Sequence, residues 1–109
     1  MIITWTIEKL ICKPTLNTLS NVVYQVYWTY SKSITVNGEN YSVKNNGITS
    51  VSDPEVNSFT QYDDLTKSQV LSWVQTELGQ EYIAEMDARL SIALTNKSTQ
   101  VMLPLPFEN

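Results

Sequence analysis

The stretch VVYQVYWTYSK, residues 22–32, constrains this chain more than any other. Val22, Tyr24, Val26, Trp28 and Tyr30 recur at every second position, and β-branched and aromatic residues fill most of the rest. That alternation and composition suit a pleated strand. Adjacent aromatics Tyr27 and Trp28 must face opposite sides of it. At least one of these large rings is therefore exposed or covered by another element, and Tyr27 is taken as a candidate interaction residue.

The flanking sequence supplies more strands. In IITWTIEKLI, Ile3, Trp5 and Ile7 alternate with Thr4, Thr6 and Glu8, which reads as a strand with one wet face. CKPTLNTLSN, residues 12–21, breaks the pattern with Pro14, Asn17, Ser20 and Asn21 and reads as a loop. Asn37-Gly38 is a preferred two-residue hairpin turn, pairing 33–36 with 39–44. Asn46-Gly47 repeats the signal and predicts another turn before a short strand at 48–51. The expectation is an antiparallel, hairpin-linked sheet of about four or five strands over residues 1–52.

Residues 53–65, with Pro54 and many polar side chains, read as a linker anchored by Phe59 and Tyr62. Thr66 followed by Gln69 has capping-box spacing and sets a helix start near Lys67. Val70, Val74 and Leu78 make its apolar stripe, and Gly79 is placed to terminate it. A second helix fits residues 80–97, with Ile83, Met86, Leu90 and Leu94 on one face and Glu81, Glu85, Asp87 and Arg89 outside it. The fold class expected is α+β, with the sheet packed by two C-terminal helices. One domain covers 1–109: sheet 1–52, linker 53–65, helices 66–97 and an extended tail 98–109. In that tail VMLPLPFEN, Pro104 and Pro106 exclude a helix and a central strand.

The catalytic inventory is thin. There is no histidine, so Ser-His-Asp and Cys-His mechanisms and the common Cys/His zinc sites are excluded. The single cysteine, Cys12, cannot form an intrachain disulfide and reads as a small core residue. Three glycines leave no phosphate-binding loop and no dinucleotide fingerprint. Asp63-Asp64 and Asp53-Pro54-Glu55 are the remaining oxygen clusters, and acids just before a helix are favourable for that reason alone. Trp5, Trp28 and Trp73 read as core or interface residues, since base-stacking aromatics come with a basic groove. No catalytic, cofactor or metal residue is expected, and no small-molecule substrate.

Charge is unevenly placed. Residues 1–52 hold two acids and four bases, whereas residues 53–87 hold eight acids and one base, Lys67. Phosphate binding by the second region is disfavoured, so nucleic acid is not an expected partner. No apolar run approaches the ~20 residues of a membrane span, and the start MIITWTIEKL lacks the features of a secretory signal.

The order of parts resembles a family of small proteins encoded by tailed bacteriophages, marine ones among them. The resemblance rests on a Trp-bearing first strand (TWTIEKL) and on the helix start Asp64-Leu65-Thr66, then Val70, Trp73 and Val74. It also rests on the ending Pro104-Leu105-Pro106-Phe107. The chain departs from the pattern in ending Phe107-Glu108-Asn109, without a further Trp. The resemblance covers nearly the whole chain and implies a non-enzymatic virion accessory: capsid decoration, head–tail completion or a tail part. Its partners would be other virion proteins or further copies of itself, in the virion or the host cytoplasm. The interaction residues it points to are Val101, Leu103, Pro104, Leu105, Pro106 and Phe107, with Tyr27 added from the strand pattern. A small acidic host-directed inhibitor is the alternative, and a hydrolase using Asp63 and Asp64 the remaining one.

Overall fold

The computed structural model describes residues 1–107. Its order is β1 (Ile2–Leu16), β2 (Leu19–Val36), β3 (Glu39–Ser50), α1 (Lys67–Leu78) and α2 (Gln80–Thr99), with single 3-10 turns at Val56–Ser58 and Tyr62–Asp64. The architecture is α+β: a three-stranded antiparallel sheet, β1-β2-β3, packed by two helices. The strands are long, and the molecule measures 71 × 28 × 24 Å.

The sheet has three strands where the sequence suggests four or five, and two local reasons account for it. Residues 12–21 do not form a loop: β1 and β2 run on to a tight turn at Asn17-Thr18, with Asn17 at φ 56°. Pro14 is tolerated because β1 is an edge strand and has no second neighbour to donate to. Asn46-Gly47 is not a turn either. It lies within β3, with Gly47 opposite Trp28. Asn37-Gly38 is the β2–β3 turn, both residues having positive φ.

Two bulges shape the β1–β2 pair. Glu8 in β1 and Tyr24 in β2 each lack an opposite residue, and the second restores the register that the first shifts. An extra residue in a strand reverses the facing of every side chain after it. The covered side of β1 therefore passes from Trp5 and Ile7 to Leu10 and Cys12, and that of β2 runs Val23, Val26, Trp28, Tyr30. Tyr24 is consequently not one of that row.

Those side chains meet Val70 and Val74 of α1 and Met86 of α2 in one apolar cluster, with Trp73, Leu78 and Leu90 beside it. Each fully buried aliphatic side chain contributes ~1.5–3 kcal/mol. Trp5 packs on Trp28 (centroids 5.5 Å apart) and edge-on to Tyr30 (4.7 Å). All three tryptophans thus serve the core. Cys12 packs against it too, and burial pushes its thiol pKa up, away from reactivity.

Thr66 caps α1 as its spacing predicts, its hydroxyl accepting from the Gln69 amide at 3.2 Å. Gly79, at φ 83°, closes α1 and opens α2 and is the single residue between them. α2 extends to Thr99, two residues beyond the expected end. Residues 100–105 are in neither helix nor strand, and Pro106 and Phe107 form a turn. The last two residues of the expected 98–109 tail lie outside the described part.

Candidate interaction surfaces

Three surfaces are available for recognition. The first is the stretch after α2. Val101, Met102, Leu103, Leu105 and Phe107 are all largely exposed, Met102 at 96%. Pro104 and Pro106 lie between them and are exposed as well. The residue types were legible from the sequence, as was their inability to form a helix.

The second is the sheet face turned away from the helices. Along β3, Asn40, Ser42, Lys44, Asn46, Ile48 and Ser50 are all exposed, whereas the alternate positions are more covered. Tyr27 lies on this face, opposite both Lys9 and Ile48, with the Lys9 ammonium 5.0 Å from its ring centre. Such a cation–π contact covers the ring without satisfying it as a core residue. Tyr27 is thus on the sheet face away from the helices, whereas residues 101–107 follow a helix packed on the other face. The candidate residues named from sequence are not gathered at one place.

The third surface was not foreseen. Residues 51–60 leave β3 and fold back toward α1, and between them lies a cleft of about 300 Å³. Val22, Val23, Val51, Phe59, Leu65 and Trp73 give it apolar walls, and Asp53, Glu55 and Glu77 stand among its lining residues. Ser52 donates to Glu77 Oε1 at 3.2 Å and Gln69 Nε2 donates to Thr60 Oγ1 at 2.9 Å, tying the linker to α1 at two places. Of the two expected anchors, Phe59 is half-buried and lines the cleft, while Tyr62 is more than a third exposed. The sequence signal was the pairing of Phe59 with a Pro54-led polar segment, read only as an anchor.

A buried polar group also escaped the sequence reading. Lys32, 5% exposed, points into the helix-covered side of β2. Its ammonium lies 2.9 Å from Asp87 Oδ1 and donates to Ser91 Oγ. Tyr30 donates to the same Asp87 oxygen at 2.5 Å. Asp87 and Ser91 are one helical turn apart, and Tyr30 and Lys32 two strand positions apart, so four side chains converge. Asp87 is not simply part of a solvated helix face. Tyr30's hydrogen bond, then that of Lys32, holds its carboxyl below the usual range; burial, then Asp87, pushes the Tyr30 phenol up to about 12. Among the described residues no buried side-chain nitrogen or oxygen is without a hydrogen-bond partner, and the group clamps β2 to α2.

Asp63 and Asp64 are exposed on the 3-10 turn before α1. Among the described residues, no group of three or more Cys, Asp or Glu side chains is placed to hold a metal, and no helix is long and apolar enough to cross a membrane.

Fold and surfaces together define a small α+β protein with an elongated three-stranded sheet and an exposed apolar C-terminal segment. The chain belongs to the family described as Domain of unknown function (DUF7936), which matches residues 1–105. No curated protein and no solved structure matches it.

Proposed function

We propose that this chain is a non-enzymatic bacteriophage protein, a virion accessory of the capsid-decoration, head–tail or tail kind, that acts by binding other virion proteins or copies of itself. The observation that carries the reading is the run of exposed apolar side chains in residues 101–107. A single exposed Leu calls for no explanation, but five apolar side chains in seven residues form a patch of the kind that marks interfaces. Pro104 and Pro106 hold their own φ angles, so the stretch works as an extended arm that loses less conformational entropy on docking than an ordinary tail. The virion setting rests on the resemblance carried by the Asp64–Val74 helix start and the Pro104–Phe107 ending.

A second reading, a small acidic protein that binds a host protein during infection, is favoured by the seven-charge acid excess of residues 53–87. The test is a photo-cross-linking amino acid in place of Leu103, introduced into the phage-borne gene and irradiated during infection. Covalent adducts with virion proteins or with a second copy support the first reading. Adducts only with a host protein favour the second, and no adducts at all remove the arm from both.

A further inference from the structure

The cleft between the 51–60 linker and α1 belongs to neither the exposed C-terminal stretch nor the bare sheet face. Its floor and walls are apolar: Val22 is 1% exposed, and Val23, Phe59, Leu65 and Trp73 line it beside Val51. A volume of about 300 Å³ lies at the small end of the ~300–1,000 Å³ of ligand sites. It has room for one or two bulky side chains. The ties from Ser52 to Glu77 and from Gln69 to Thr60 hold both sides before anything binds, so little ordering is needed on binding.

The charged side chains lining the cleft have one sign. Asp53, Glu55 and Glu77 line it. The one described ion pair there, Lys13 to Asp53 at 3.5 Å, has partners 41% and 61% exposed. Such a pair is worth little and is easily displaced. Nor is the acidity confined to the cleft: Asp63, Asp64, Glu81 and Glu85 are exposed in the same region of sequence, with Lys67 its only base. A field on that scale suits a protein segment rather than a small amine, and it repels nucleic acid.

The chain's own C-terminal stretch does not fill the cleft. Lys97 near the end of α2 donates to the carbonyl of Ser42, which pairs with Ser33, whereas the cleft sits at Val22 and Val23. Ten strand positions at ~3.3 Å each separate those levels by ~33 Å, and none of residues 101–107, all exposed, lines the cleft. A second copy's stretch is apolar, but it carries no base to meet the carboxylates.

We propose that this cleft receives an apolar side chain from a partner protein segment that carries Lys or Arg on both sides of it. The apolar residue fills the space against Trp73 and Phe59, and the flanking cations meet Glu55, Glu77 and Asp53. The proposal does not depend on the virion reading, because it concerns a different surface and its test uses no phage particles.

The test is a titration of the isotope-labelled full chain with four short synthetic peptides, monitored by amide and indole NMR shifts. One has Phe-Leu at its centre and Lys/Arg on both sides; one has Asp/Glu in place of the bases. One keeps the bases but has Ser-Ser at its centre; the last is this chain's own 101–107 sequence. The basic apolar peptide is expected to shift the Trp73 indole and the amides of Ser52, Thr60 and Gln69. Glu55→Lys, on the exposed linker, should weaken it about tenfold, and Glu77→Lys similarly, with thermal melts confirming that both variants fold. Raising salt from ~0.05 to ~0.5 M should weaken it as well. The proposal is overturned if the basic apolar peptide leaves those signals unmoved or shifts signals elsewhere. It is equally overturned if the Ser-Ser, acidic or 101–107 peptide binds the cleft as tightly, which would mean charge alone, apolar contact alone or a second copy.

Discussion

The indole of Trp28 lies directly against the backbone of Gly47. A β-carbon at Gly47 would overlap Trp28 Cζ2. The ring is 2% exposed and is fixed by a 2.8 Å hydrogen bond from its Nε1 to Thr49 Oγ1, so it cannot give way cheaply. Gly47→Ala should therefore destabilise the protein by ~1–3 kcal/mol, the usual cost of overpacking a core. Urea unfolding measures this. Stability equal to the parent would show that the ring does not hold that position.

Lys32 and Asp87 give a second prediction. Asp87→Ala leaves the buried Lys32 ammonium and the Tyr30 hydroxyl without their shared acceptor. A loss of ~1–3 kcal/mol is expected from unsatisfied buried donors. The double variant Lys32→Met/Asp87→Leu should lose less than the two single changes added together, since replacing a pair by apolar groups removes the orphaned charge. Denaturation of the four proteins in this cycle decides it. Additivity would mean that the pair is not energetically coupled.

The same group sets a pH profile. The Asp87 carboxyl is held low by Tyr30 and then Lys32, so its contribution is present above the ordinary carboxylate range. It is lost as pH falls through the folded-state pKa, because the unfolded chain takes up the proton first. The Tyr30 phenol moves the other way, from 10.0 to about 12. Its contribution is full below pH 10 and is lost as pH rises toward 12. Stability against pH should show both limbs, with the acid limb reduced in Asp87→Asn and the alkaline limb reduced in Tyr30→Phe. Unchanged limbs in those variants would refute the assignment.

Thr66 is a simpler case. Its hydroxyl takes the Gln69 amide at the start of α1. Thr66→Ala should cost ~1 kcal/mol, and Thr66→Ser should keep most of that. Thermal melts of the two variants provide the comparison, and equal losses would mean that the hydroxyl is not the cap.

The features legible in the sequence were local ones. Thr66 with Gln69, Gly79 and Asn37-Gly38 act through neighbours a few residues away, and each did what its spacing predicted. Val70, Val74, Met86 and Leu94 are buried as the helical stripes required. Asn46-Gly47 carries the same local signal as Asn37-Gly38, yet the ring of Trp28 across the strand determines its role. The bulges left a trace: the apolar phase in β1 shifts from Trp5 and Ile7 to Leu10 and Cys12. Nothing near Lys32 in the sequence signals its burial, because its partner Asp87 lies on α2, far along the chain. The cleft was hidden for the same reason, since its walls come from β2, the linker and α1.

If the chain joins a virion as proposed, quantitative peptide mass spectrometry of gradient-purified particles of a phage that carries its gene should find it there at a copy number matching capsid or tail symmetry. Its absence from such particles, alongside abundance in infected cells, would rule the virion role out and leave the host-directed one in its place.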